Sequence, residues 1–109
     1  MAEEKDSGSA PLGVETRQDG PGGPVIAVSG DLDIASVERL RDVVRELSAS
    51  DPRELTFDMT ELRFMDSAGI AVLLGAAGSV PTVRLRNPTT AVRRVIELTG
   101  LGEVLEVQP

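Results

Sequence analysis

Cysteine, histidine, tryptophan and tyrosine are all missing from this chain, and only two of its 109 residues are phenylalanine. Without cysteine there is no disulfide, no thiol nucleophile and no thiolate metal centre. Without histidine, every mechanism that uses imidazole as base or metal ligand is excluded. Positive charge is also scarce: 11 Lys and Arg against 18 Asp and Glu give a formal net charge of −7. That balance argues against direct nucleic-acid binding, which rests on Lys and Arg neutralising phosphates, and against an anionic membrane surface. A partner with a basic face fits it better. No apolar run is long enough to span a bilayer. The start, Met1-Ala2-Glu3-Glu4-Lys5-Asp6, lacks the basic residues and apolar stretch of a signal peptide, so a cytoplasmic location is expected.

What remains is a chain of one-domain length whose core must be built from Val, Leu, Ile and Ala, which suits a small α/β packing. Residues 1–11 are charged and rich in Ser and Gly, and are expected to form a disordered tail. Residues 12–19 read as a first strand, with Leu12, Val14 and Thr16 on one face. Gly20-Pro21-Gly22-Gly23 is a turn signal. Residues 24–29 then read as a second strand with apolar side chains on both faces, which suggests a sheet covered on both sides. The two strands form a hairpin.

After Gly30-Asp31-Leu32-Asp33, the residues Ile34, Val37, Leu40, Val44 and Leu47 recur at helical spacing, with Asp33 as the expected N-cap. Residues 54–58 alternate as a short strand. Residues 67–77 contain almost nothing polar, so this second helix is either buried or partly covered by a partner. Val83 and Leu85 mark another strand. Pro88-Thr89-Thr90 opens a last helix, with Val92, Val95 and Ile96 inward and Gly100 as a left-handed C-cap. Residues 103–107 read as a closing strand. The order β-β-α-β-α-β-α-β implies a single domain with a mixed, mostly parallel sheet and right-handed crossovers.

Phe64-Met65-Asp66-Ser67-Ala68-Gly69-Ile70 concentrates the chemistry. Asp66 and Ser67 are both good N-cap residues, placed at the positive end of a helix dipole. The Ser67 hydroxyl is therefore either a cap or a place where a phosphate is added and removed. No cofactor is expected. The acidic residues lack the dense spacing of a metal site, and a phosphate loop with Lys or a nucleophile–base pair is absent, so an enzyme is disfavoured.

Gly30-Asp31-Leu32-Asp33, Phe57-Asp58-Met59-Thr60, Phe64-Met65-Asp66-Ser67-Ala68-Gly69, Asn87-Pro88 and Leu98-Thr99-Gly100-Leu101, taken in this order, resemble a STAS domain. More narrowly they resemble a bacterial anti-sigma factor antagonist, over residues 12–109. The resemblance implies a phosphoacceptor at Ser67, modified by an anti-sigma factor that is itself an ATP-dependent serine kinase. It implies that the unphosphorylated form binds that factor and frees the sigma factor. Phosphorylation blocks binding, and a phosphatase resets it. The implied partner-binding residues are Asp31, Asp33, Asp66, Ser67, Ala68, Gly69 and Ile70, with Asp58 a further candidate beside them. The free chain is expected to be a monomer. One departure stands out: the stretch from Gly69 to Val83 is about one helical turn, ~3.6 residues, shorter than the common pattern. An alternative is a STAS subunit of a lipid-trafficking ABC transporter, which would bind its ATPase without a phosphate on Ser67.

Overall fold

The computed structural model describes residues 10–18 and 23–108. Its strands are β1 (Gly13–Arg17), β2 (Val25–Leu32), β3 (Glu54–Met65), β4 (Thr82–Arg86) and β5 (Glu106–Gln108). Its helices are α1 (Val37–Ser48), α2 (Ser67–Ser79) and α3 (Thr90–Thr99), followed by a 3-10 turn at Leu101–Glu103. The strands form one sheet in the order β1-β2-β3-β4-β5, with β1 antiparallel to β2 and the other neighbours parallel. The mixed, mostly parallel α/β sheet and its element order are those expected. The hairpin is present, although most of its turn lies outside the described residues. So do residues 1–9 of the expected tail.

Each crossover steps one strand in the same direction, so right-handed connections bring all three helices to one face of the sheet. That face holds the core: Ile26 and Val28 from β2, Leu55, Phe57 and Met59 from β3, Leu85 from β4. Leu40 of α1, Leu73 of α2 and Val92 of α3 close over it, and all three are fully buried. The opposite face corrects the expectation of cover on both sides. The register sets Arg17 beside Val25 and Thr56, then Arg84 and Glu106 in one row. Arg84 bridges Glu54 and Glu106 at 2.5 Å each. This face is a charged lattice in which, among the described residues, Val25 and Thr56 are buried and Asp31 lies buried at its edge.

Three boundaries move for physical reasons. β2 continues through Gly30, Asp31 and Leu32, which the sequence suggested as a junction. β3 runs from Glu54 to Met65, well past the expected end at Asp58, because two register shifts against β2 break its alternation. β5 is confined to Glu106–Gln108, since the chain after Gly100 first makes the 3-10 turn. The C-cap itself is as expected: Gly100 sits at φ 74°, a conformation that costs other residues a steric penalty.

The N-terminal edge of the domain also differs. Ala10, placed in the tail, is pinned to β2: Asp31 N–H donates to the Ala10 carbonyl and Ala10 N–H donates to Asp31 Oδ2, both at 3.1 Å. Gly30 lies under this strap at φ 81°, where an added Cβ would sit 2.0 Å from the Pro11 carbonyl oxygen. Only glycine admits so close a crossing.

Candidate functional site

The site is built at the carboxyl ends of β2 and β3. Leu32 and Met65 are register partners, so the next residues, Asp33 and Asp66, leave neighbouring parallel strands side by side. Asp66 N–H donates to the Leu32 carbonyl at 3.2 Å, which ties the two strand ends together. Strand spacing of ~4.8 Å sets the scale on which the two acidic residues approach.

Asp66 is the N-cap of α2: its backbone is extended and Oδ1 accepts the Ala68 N–H at 2.9 Å. A cap of this type is worth ~1 kcal/mol. The cap role left open between two residues therefore belongs to Asp66. Ser67 is exposed, and its hydroxyl has no hydrogen-bond partner among the described residues. It stands free at the positive end of a 13-residue helix.

Gly69, one turn in, is buried where α2 meets the strand ends. A Cβ there would lie 2.7 Å from Met65 Cγ and 2.8 Å from Leu32 Cδ2. The helix approaches β2 and β3 more closely than any side chain at this position would allow. Ala68 and Ile70 are half-buried and pack against the core. Farther along, α2 leaves Ala71, Leu74, Gly75 and Gly78 exposed, so the apolar helix is covered on one side only. A short segment with two exposed glycines ends it, and Val80 N–H closes the last turn on the Ala76 carbonyl.

Asp33 starts the approach to α1. Its carbonyl receives the N–H groups of Ser36 and Val37 at 3.0 and 2.9 Å, and its Oδ1 accepts from Ala35 N–H at 3.1 Å. It caps a turn one step earlier than the regular helix, which begins at Val37 with Ser36 in the N-cap position. Ile34 therefore leaves the apolar stripe in which its spacing placed it, and is 80% exposed. Phe64, just before the Asp-Ser pair, is 48% exposed.

Two expected site residues lie elsewhere. Asp31 is only 8% exposed, and its carboxylate faces Ala10 and, at 3.8 Å, Arg63, which makes it a clamp for the N-terminal strap rather than a docking group. Asp58 lies more than half the length of β3 away, on the open sheet face. Burial pushes its carboxyl up, but hydrogen bonds from the Thr60 hydroxyl and N–H, with Arg86 and Arg17 nearby, outweigh it and leave it below the usual carboxylate range. Among the described residues no group of three or more Asp or Glu is arranged to hold a metal ion, and no helix is long and apolar enough to cross a membrane.

The residues that sequence reasoning missed are Ile34, Phe64 and Ser36. Asp33-x-x-Ser36 has the spacing of a reciprocal helix cap, and that signal was available. The exposure of Ile34 and Phe64 follows from the early turn and from the irregular register of β3, which no spacing rule reveals.

Comparison with known proteins places the domain as a whole. Residues 16–106 match the family described as "Mlab, STAS domain". An anti-sigma F factor antagonist of Lysinibacillus sphaericus is 30% identical over 83 residues, covering 72% of this chain and 71% of the relative. The crystal structure of an anti-sigma factor antagonist from Mycobacterium paratuberculosis superposes with a TM-score of 0.84 at 26% identity, over 93% of this chain and 90% of that one. The anti-sigma factor antagonist SpoIIAA in its unphosphorylated form gives 0.75 at 25% identity, over 87% of both chains.

Proposed function

Because the chain belongs to the STAS domain family, we propose that it is an anti-sigma factor antagonist switched by phosphorylation of Ser67. The observation that carries this reading is the division of labour at the start of α2. Asp66 caps the helix, which leaves the Ser67 hydroxyl exposed and unengaged among the described residues. Relatives named as antagonists support the regulatory role, and one of them has a structure described as its unphosphorylated form. They favour this reading over the transporter subunit.

In this scheme the unmodified chain, in the cytoplasm, binds an anti-sigma factor and thereby frees the sigma factor. The anti-sigma factor is also a serine kinase: Ser67 Oγ attacks the γ-phosphorus of ATP, the bond to ADP breaks, and the hydroxyl proton is released. A phosphatase hydrolyses the ester and restores the hydroxyl. The chain contributes an acceptor and a docking face, and catalysis belongs to its partners. Asp33, Asp66, Ala68 and Ile70 frame the face around Ser67, while Gly69, expected there from the sequence, is buried beneath it.

A phosphate carries close to two negative charges and three acceptor oxygens. A partner closing over Ser67 would have to desolvate it or meet it with its own acidic groups. Each ~1.4 kcal/mol lost weakens binding tenfold, so a few kcal/mol dissolve a micromolar complex.

The test is incubation with ATP and the anti-sigma factor ATPases encoded in the same genome, read by intact mass and peptide mapping. The expected result is one phosphate, on Ser67. Ser67→Ala should bind the same factor as the unmodified chain does, and Ser67→Asp more weakly. Phosphate on another residue, or equal binding by the two variants, overturns the switch. Copurification with a transporter ATPase instead would replace the reading.

A further inference from the structure

The turn that carries Asp33 is closed by the hydroxyl of Ser36. Ser36 Oγ lies 3.1 Å from the Asp33 amide nitrogen, 3.0 Å from the Asp31 carbonyl oxygen and 3.2 Å from Asp33 Oδ1. A hydroxyl has one proton and two lone pairs. It therefore accepts the Asp33 N–H and donates to one of these two oxygens or to the Asp33 carbonyl oxygen, which lies at 3.4 Å. In return, Asp33 Oδ1 accepts the Ala35 N–H. Each end of the turn thus holds the other through a side chain, the logic of a capping box with serine in the reaching position.

What this closure displays is Ile34. A large apolar side chain 80% exposed contributes nothing to the core. Held on a closed turn beside the acidic pair, it is available to a partner at small ordering cost, because the backbone is already fixed.

We propose that Ser36 is a positioning residue of the docking face, whose hydroxyl holds the turn so that Ile34 and the Asp33 carboxylate meet the anti-sigma factor preformed. The proposal rests on the antagonist reading. It assigns Ser36 no contact with the partner. Its effect passes through Asp33 and Ile34, and it gives Ile34 the role of apolar anchor.

The test uses the full chain with Ser36→Ala, Ser36→Thr and Ile34→Ala. Amide hydrogen exchange is followed by NMR, and affinity is titrated against the anti-sigma factor that phosphorylates the wild-type chain. Ser36→Ala should speed exchange at the Asp33 amide and weaken binding about tenfold, the scale of one lost cap. Ser36→Thr, which keeps the hydroxyl, should restore both. Ile34→Ala should weaken binding while exchange at Asp33 stays as in wild type. Amides of α3 report general loss of stability in the same spectra and separate it from opening of the turn. Wild-type affinity in Ser36→Ala, unchanged exchange at Asp33, or wild-type affinity in Ile34→Ala overturns the proposal; the last arm holds even if the Ser36→Ala protein fails to fold. If no anti-sigma factor binds the wild-type chain, the antagonist reading fails, while exchange at Asp33 still decides what the hydroxyl does.

Discussion

Replacing Gly69 by alanine should destabilise the domain relative to the same replacement at Gly75, although both lie in α2. At Gly69 the new Cβ would stand 2.7 Å from Met65 Cγ and 2.8 Å from Leu32 Cδ2, and both of those side chains are buried. Carbon atoms pack best at ~3.5–4.0 Å, so the helix start or the strand ends must yield by roughly 1 Å. Overpacking of this kind costs ~1–3 kcal/mol. Alanine also improves helix propensity over glycine by ~1 kcal/mol, which offsets part of the cost. At Gly75 nothing lies within 4 Å of the added Cβ, so only the gain applies. The propensity contribution cancels between the two variants and leaves a difference of ~1–3 kcal/mol. For a domain of this size 1 kcal/mol shifts the melting midpoint by ~4–8 °C. Thermal and urea unfolding of the two variants measure the gap directly. A Gly69→Ala protein that melts with or above Gly75→Ala would refute the close approach of α2 to β2 and β3 at Gly69.

Two further outcomes test the site and the open sheet face. Asp66→Ala should lower stability by ~1 kcal/mol through loss of the α2 cap, whereas Asp66→Asn, which keeps an acceptor oxygen, should retain most of it; urea midpoints distinguish them. Asp58→Asn should be less stable than wild type at neutral pH. Because the Asp58 carboxyl titrates below its ordinary value of 3.8, its stabilisation is complete above the unfolded-state value and is lost as pH falls through the folded one. The gap between the two proteins should therefore narrow below about pH 4, and a gap that stays constant from pH 7 to pH 3 would exclude the carboxylate as its source.

Where the chain obeys a single period, its structure was legible. Leu55, Phe57 and Met59 alternate and lie on the core face. Val92 and Ile96 repeat at helical spacing and are buried. Asp66-Ser67 before a small, apolar run reads as the start of a helix, with either residue as its cap, and is one, capped by Asp66. The rest escaped because two local devices break the period. In β3 two extra residues enter against β2, one between Asp58 and Glu61 and one at Arg63. They carry the strand on to Met65 with buried residues three apart, Leu62 and Met65, a spacing that mimics a helix or a loop. At the start of α1 the Asp33 turn precedes the regular helix and throws Ile34 outward, although Ile34 fits the apolar stripe in every sequence count. Asp31 was placed at the partner-binding face by the family resemblance, and nothing in the sequence tells that Ala10 returns to cover it. The Asp33 turn and the second shift, at Arg63, lie at or next to the strand ends that form the site, so the pattern fails there where the chain departs from ideal packing to make a surface.

That arrangement also bears on how the proposed switch would act. A phosphate on Ser67 would stand at the N-terminus of α2, which offsets ~0.3–1 kcal/mol in its favour. Against this, a carboxylate at ~4 Å costs ~1 kcal/mol in water and ~4 kcal/mol at an effective dielectric of 20. The site is exposed, so the smaller penalty applies; with close to two charges on the phosphate it comes to ~2 kcal/mol per carboxylate, of which the helix end offsets a part. The cap is not sacrificed either, because the Ala68 N–H is held by Asp66 and not by Ser67. Folding stability of small domains is ~5–15 kcal/mol, so a residual of this size leaves the fold intact. The same charge brought under a partner loses its water, and there the higher penalty governs. A modification of small cost to the free domain is thus far more costly for the complex, which is what a switch acting at an interface requires and a switch acting by unfolding would not.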